Sequence, residues 1–174
     1  MGSPSFTERQ VTDSAGGASL QGENYLIYGG EYGYMHNPKK LRFLTKDNIS
    51  SALTELNPTA HSPIIGWAYD GHPIYGPYGY VDPENAAPYN AYKQIISSYR
   101  VKSSRSALLS GLSDPLGTYI EDYEYVEGLG DLDRYNGRYC VTPEYPNGVY
   151  CYFTTITGTT GDPAFPYFIG ENFY

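Results

Sequence analysis

Charge is scarce in this chain: Asp, Glu, Lys and Arg make up only 17% of its 174 residues. Basic residues are the scarcer sign, 11 Lys and Arg against 19 Asp and Glu, which leaves a formal net charge of −8. A partner carrying a phosphate backbone, or an anionic bilayer, is met by clustered cations. The densest basic grouping here is Arg100, Lys102 and Arg105, which reads as a solvated turn or helix end. Nucleic acid is therefore not expected as a partner. Membrane insertion is not expected either, because no run approaches the roughly 20 apolar residues of a spanning helix. The N-terminus also lacks the charged-then-apolar order of a secretory signal.

Histidine and cysteine are scarce too, with 3 and 2 copies. His36, His61 and His72 have no zinc-type spacing, so a three-histidine metal site would have to be assembled from distant loops. No Gly-x-Ser-x-Gly elbow appears, and no Ser or Cys has an evident His and acid partner. Gly71, Gly76 and Gly79 do not open a helix after a strand, so nothing aims backbone donors at a nucleotide phosphate. Cys140 and Cys151 flank Pro143 to Gly148, a hairpin loop. A loop centred between Tyr145 and Pro146 would set the cysteines opposite each other; pairing on Asn147-Gly148 would offset them. Free thiols are the expectation.

What the chain has in abundance is tyrosine: 21 Tyr against 6 Phe and 1 Trp. A tyrosine ring buries apolar area while its hydroxyl needs a partner or water. So many of them imply a wet, hydrogen-bonded core, a tyrosine-lined surface, or both. Glycine and proline (20 and 13 copies) break the sequence into short segments. Residues 1–23 read as a polar arm, with Met1-Gly2-Ser3-Pro4 resembling an expression remnant, and residues 24–174 as the domain. Short strands are expected over 24–34, 41–44, 64–69 (central, with Trp67 in the core), 118–126, 139–141, 149–157 and 165–169. Helices are expected over Thr45–Leu56, closed by Pro58, and over Asn90–Val101. Between them, Gly71, Gly76 and Gly79 with Pro73 and Pro77 exclude regular structure through Tyr80. The sum is a mainly β fold: one compact domain, sandwich- or barrel-like, with one or two short helices and long ordered loops.

Two segments hold the chemistry. The first is Gly66-Trp67-Ala68-Tyr69-Asp70-Gly71-His72-Pro73-Ile74-Tyr75-Gly76-Pro77-Tyr78; the second is Asp131-Leu132-Asp133-Arg134-Tyr135-Asn136-Gly137-Arg138. The second invites comparison with a calcium loop, but Tyr135 stands where a third oxygen ligand belongs and Thr142 where the closing Glu belongs. An EF-hand is excluded. The expected arrangement pairs Asp133 with Arg138 and gives Asn136 the positive φ of a turn. No cofactor is expected; a divalent cation such as calcium on Asp131, Asp133, Glu121 and Asp122 is the alternative. No catalytic residue is assigned. The expected binding residues are Tyr69, Asp70, His72, Tyr75, Tyr78, Asp131, Asp133, Asn136 and Arg138. Trp67, Tyr69, Asp70, Tyr75 and Tyr78 would form a glycan cleft, rings stacking on sugar faces and carboxylates holding hydroxyls.

The order of these residues over most of 61–173 resembles the YHYH family. The resemblance is carried by Asp70-Gly71-x-Pro73-Ile74-Tyr75-Gly76, by Asn136-Gly137-Arg138, and by Pro143-Glu144-Tyr145-Pro146-Asn147-Gly148-x-Tyr150. Where the name-giving Tyr-His-Tyr-His run would fall stands Tyr150-Cys151-Tyr152-Phe153, so no role of those histidines carries over. The longer Ser62-to-Gly71 lead-in and Phe165-Pro166-Tyr167 resemble a branch of the family found in large virion proteins of tailed phages of marine cyanobacteria and in some bacterial surface proteins. The resemblance implies a virion location and a module of a larger chain or oligomer. Its expected role is a non-enzymatic one in the tail, fibre or baseplate, touching other virion proteins or a host-surface glycan. The alternative is a carboxylate-based hydrolase or lyase of envelope polysaccharide using Asp70 and Asp133 as acid and base.

Overall fold

A computed structural model describes residues 25–28, 31–34, 36–86, 91–105 and 113–174. The expected arm, residues 1–23, lies outside them. Short strands follow the tyrosine-rich segments: β1 (Tyr25–Tyr28) and β2 (Glu31–Tyr34), then helix α1 (Lys39–Leu44). Next come β3 (Ile64–Trp67), β4 (Pro73–Tyr75), β5 (Tyr78–Tyr80), β6 (Tyr92–Gln94) and β7 (Tyr99–Val101). After a 3-10 turn at Ile120–Asp122 follow β8 (Tyr123–Tyr125), β9 (Gly137–Cys140), β10 (Val149–Phe153), β11 (Ile156–Thr157) and β12 (Asp162–Pro163). The central unit is a four-stranded sheet in the order β3-β4-β10-β9, with β1-β2, β5-β6, β7-β8 and β11-β12 as separate ribbons. The fold is thus mainly β, in one domain, with no closed barrel.

Alternation along β10 decides what each face of the sheet carries, because successive side chains point to opposite sides. Cys151 and Phe153 join Tyr75, Ile95, Leu132 and Cys140 in one buried cluster. Tyr150 and Tyr152 join Ala68 in a second, with Ile74, Tyr135 and Ile169 packed against it. Burying a side chain such as Ile95 or Phe153 is worth roughly 1.5–3 kcal/mol, so the first cluster anchors the domain. β4 and β10 run parallel, Tyr152 beside Ile74 and Phe153 beside Tyr75, while β3-β4 and β9-β10 are antiparallel. The β3-β4 reversal is set by Gly71, whose φ of 87° only a glycine adopts easily. Its amide donates to Ala68 O at 3.0 Å, and Asp70 Oδ1 accepts the His72 amide at 3.1 Å.

Several local expectations are corrected. Thr45–Leu56 is not helical: it is a chain of turns with a bridge between Ile49 and Glu55. Lys46 and Leu53 sit at φ 62° and 60°, and the carboxylates of Asp47 and Glu55 turn inward onto Arg42. Tertiary charge pairing here overrides the helical spacing of the apolar residues. Helix α1 lies instead over 39–44, where a strand was expected to begin. The 90–101 segment forms β6 and β7, whose tyrosines pair with Tyr80 and Tyr125 across the ribbons, not a helix. Gly71 to Tyr80 holds two strands, short enough to fit between its prolines. β3 is an edge strand, and Trp67, read as core, is 58% exposed. Residues 165–169 form turns around a cis Phe165–Pro166 bond rather than a strand. The β1-β2 and β9-β10 hairpins stand where they were expected, and the basic trio is paired along an acidic segment: Arg100 with Glu124, Arg105 with Asp122, and Lys102 Nζ with Glu121 O. Cys140 pairs with Val149 and Cys151 with Arg138, an offset of two positions, and both thiols are free.

Candidate functional site

Asp133 organises the loop before β9. Its Oδ1 accepts the amides of Tyr135 at 2.9 Å and Gly137 at 3.2 Å, an Asx turn that returns the chain on itself. Asn136 takes the expected positive φ, 63°, and its buried Nδ2 donates to Phe153 O and Phe168 O at 3.1 Å each. Gly137 then enters β9 with the Tyr150 hydroxyl directly against its Cα; a Cβ there would collide with it. The Tyr150 hydroxyl donates to Asp133 Oδ2 at 2.9 Å. The expected Asp133–Arg138 pair does not form. Arg138 projects from the opposite face of β9, where Nη2 donates to Tyr80 O at 2.9 Å and the guanidinium lies 5.3 Å from the Phe153 ring centroid.

Tyr152, two residues along β10, points the same way as Tyr150 and donates to Asp70 Oδ2 at 2.5 Å. Its oxygen accepts the Tyr174 amide at 2.8 Å. The Tyr174 ring stacks on Tyr150 at 3.8 Å between centroids, and His72 packs edge-on against Tyr150 (5.1 Å) and Tyr174 (5.8 Å). Burial raises the Tyr150 and Tyr152 phenols above the ordinary tyrosine range, and their carboxylate partners raise them further. Both stay protonated and act as donors, which holds Asp70 and Asp133 as fixed acceptors. Tyr69 stands 82% exposed beside this group, its ring edge-on to Phe173 at 6.3 Å.

The strip continues through Tyr135, edge-on to Tyr174 at 5.8 Å, into an open cleft of about 320 Å³. Tyr99, Tyr125, Arg134, Tyr135, Glu171 and Asn172 line it. Arg134 lies over the Tyr125 ring, 5.6 Å from its centroid, and its backbone oxygen accepts the Tyr99 hydroxyl at 2.8 Å. The cleft is therefore a set of aromatic walls with one cation, one carboxylate and one amide at its rim.

Of the residues expected from sequence, Tyr69, Asp70, His72 and Asp133 gather on this side, and Asn136 shapes the loop beneath. Tyr75 and Tyr78 do not join them. Tyr75 is fully buried, with its hydroxyl 2.8 Å from Glu144 Oε2 and 2.9 Å from Thr142 Oγ1. Tyr78 is 3% exposed and donates to Glu55 Oε2 at 2.9 Å. Asp131 is a loop anchor, pairing Lys93 Nζ at 2.5 Å and the Ile96 amide at 2.9 Å. The expected Trp67-to-Tyr78 glycan cleft is thus not formed, because its two inner tyrosines belong to the core. Asp122 is held by Arg105 and the amides of Gly117 and Tyr119, apart from the partners of Asp131 and Asp133. Among the described residues no three His, Cys, Asp or Glu side chains converge as a metal ion requires. Sequence reading missed Tyr150, Tyr152, Tyr174 and the cleft residues. The Tyr150-x-Tyr152 spacing in a strand was the available signal, since period two puts both rings on one face.

A family model described as YHYH protein matches residues 18–162. The chain belongs to the YHYH family. Comparison with curated proteins and with solved structures returns no match.

Proposed function

We propose that this chain is a non-enzymatic binding module of a phage virion protein, in the tail, fibre or baseplate, and that it grips a host-surface glycan. The observation that carries the reading is the aromatic strip of His72, Tyr174 and Tyr135 leading into the cleft beside Arg134, with the Tyr69–Phe173 pair at its other end. Sugar rings present apolar C–H faces that stack on phenol rings, while their hydroxyls take hydrogen bonds from charged and amide groups. Tyr99, Tyr125 and Tyr135 supply the first; Arg134, Glu171 and Asn172 supply the second. A volume of about 320 Å³ stands at the small end for a ligand pocket and suits a mono- or disaccharide unit of a longer chain. The virion context follows the branch resemblance of the Ser62–Gly71 and Phe165–Tyr167 segments.

The enzymatic alternative would use Asp70 and Asp133 on polysaccharide. Each of these carboxylates already accepts a phenol and at least one backbone amide, which suits a rigid scaffold better than proton transfer. A glycan array followed by titration of the best binder tests the proposal. Tyr125→Ala and Arg134→Ala should each weaken binding, with no new reducing ends released by the wild-type chain. Turnover of a bound polysaccharide that Asp70→Asn abolishes would overturn it, and so would affinity unchanged in both cleft variants.

A further inference from the structure

The two cysteines lie on the face of the sheet away from the aromatic strip. They are diagonal neighbours across β9 and β10, which normally leaves side chains well apart. Here the two thiols lean together until their Sγ atoms stand 3.4 Å apart, inside the buried cluster of Tyr75, Ile95, Leu132 and Phe153. A disulfide needs about 2.05 Å between the sulfurs, so a movement of well under 1 Å by each side chain would close it. Cys151 Sγ also lies 3.8 Å from Arg138 O, so one thiol is already oriented by the strand opposite. From this geometry we infer that Cys140 and Cys151 are a modification site, an oxidisable dithiol that a small two-electron oxidant of the peroxide class closes into a disulfide between β9 and β10.

The electrostatics divide the labour. The hydrogen bond from Cys151 draws the Cys140 thiol below its ordinary range against the opposing cost of burial, and the Arg138 guanidinium adds to the effect. The same hydrogen bond and burial push Cys151 up. Cys140, which ends the edge strand β9, is the thiol an oxidant reaches first and is the attacking sulfur; Cys151, on the inner strand β10, is the resolving thiol. In the first step Cys140 sulfur attacks one peroxide oxygen; the O–O bond breaks, and the departing hydroxide takes up the thiol proton as water. The Cys140 sulfenic acid is then attacked by Cys151 sulfur: the S–S bond forms, the S–O bond breaks, and a second water leaves with the Cys151 proton. Two thiols lose two electrons and one peroxide is reduced to two waters. Both sulfurs are buried, at 2% and 0% exposure, so entry of the oxidant follows opening of β9. That strand is at the sheet edge, and Cys140 is its last residue.

The test treats the whole chain with hydrogen peroxide, quenches it, and unfolds it in guanidinium for thiol titration and peptide-resolved mass. The expected result is loss of both titratable thiols and of two hydrogens from the linked Cys140 and Cys151 peptides, reversed by a thiol reductant, with the chain monomeric throughout. In Cys151→Ser, dimedone should trap a sulfenic acid on Cys140. Two thiols still titrating after the methionines have been oxidised would overturn the inference. Oxygen added at either cysteine of the wild-type chain without hydrogen loss would do so too, as would a bridge between two chains.

Discussion

Arg42 is the residue whose removal should cost most. It is fully buried in helix α1, where Nε donates to Asp47 Oδ2 at 2.6 Å, Nη1 to Glu55 Oε1 and Asn37 Oδ1 at 2.7 Å each, and Nη2 to Glu55 Oε2 at 2.8 Å. The two carboxylates are as buried as the guanidinium, with side-chain exposures of 0% and 2%. Asp47 in turn accepts Ser62 Oγ and the Asn48 amide, and Glu55 accepts Tyr78, so one cation shared by two carboxylates centres a knot that ties residues 37 to 78 together. Arg42→Met keeps much of the volume and removes the charge, leaving two desolvated carboxylates unpaired. Breaking a buried pair by deleting one partner costs about 3–5 kcal/mol. At 2–4 °C per kcal/mol for a domain of this size, the melting temperature should fall by about 6–20 °C. Circular dichroism melts and urea titrations at pH 7 measure the loss. The sign of its pH dependence is a second check. Burial works to raise Glu55, yet the hydrogen bond and charge of Arg42 hold it below the ordinary carboxylate range in the wild type. That stabilisation is present above the ordinary Glu pKa and fades as pH falls through the lowered one. In Arg42→Met the lowering by Arg42 is gone and burial raises Glu55, so acid neutralises it and the deficit should shrink as pH drops from 7 toward 4. A loss below 1 kcal/mol at pH 7, or a deficit that grows on acidification, would refute the reasoning.

Three further outcomes follow from the geometry. His61 is 7% exposed, with Nδ1 donating to Ser62 O at 2.7 Å and Nε2 buried without a partner; burial holds its pKa down, so stability should fall as pH drops below about 6.5, where the unfolded chain takes up a proton first, and the dependence should flatten in His61→Phe. Asp122 is held at about 2 by its hydrogen bonds from Arg105, so Asp122→Asn should remove a component of acid unfolding between pH about 4 and 2, read from urea midpoints across that range. Gly137→Ala should displace the Tyr150 hydroxyl from Asp133 and lower stability by about 1–3 kcal/mol, the cost of an overpacked position beside a broken buried hydrogen bond, while Gly158→Ala, with open space around its Cβ but φ 50°, should cost about 1 kcal/mol or less.

What was legible in the sequence was punctuation and alternation. The alternating runs at 25–34 and 149–153 became short strands, the Asp70-Gly71 and Asn136-Gly137 turns fell where their residue types demand, and the late hairpin was correctly placed, whereas the strands within 73–80 and 92–101 were not foreseen. What was not legible depended on partners far along the chain. Apolar residues 49, 52, 53 and 56 have helical spacing, but Asp47 and Glu55 are drawn to Arg42, and a buried charge pair outweighs a few tenths of a kcal/mol of propensity per residue. Trp67 looked like core because its run is apolar, yet β3 is an edge strand and strand order is set by the β4-β10 pairing some eighty residues away. The tyrosines posed the hardest choice. Tyr75 and Tyr78 face inward because Glu144, Thr142 and Glu55 satisfy their hydroxyls there, and nothing local to Pro73–Tyr80 announces those partners.

The same alternation sorts the residues of β10 by the face they occupy. Positions 150 and 152 face Asp133, Asp70, His72 and Tyr174; positions 151 and 153 face the opposite cluster with Tyr75, Cys140 and, through the Phe153 ring, His61 at 5.9 Å. The first pair is two tyrosines, and the second pair is Cys151 and Phe153. The two sides of β10 touch different groups: Phe153 lies against His61 and Arg138, while Tyr150 and Tyr152 donate to Asp133 and Asp70. The tyrosine face of the strand is the one that builds the aromatic strip. The opposite face of the strand carries a thiol and an apolar ring, both in the buried cluster with Tyr75. A binding role for the strip rests on the tyrosine face of β10, and positions 151 and 153 carry no imidazole.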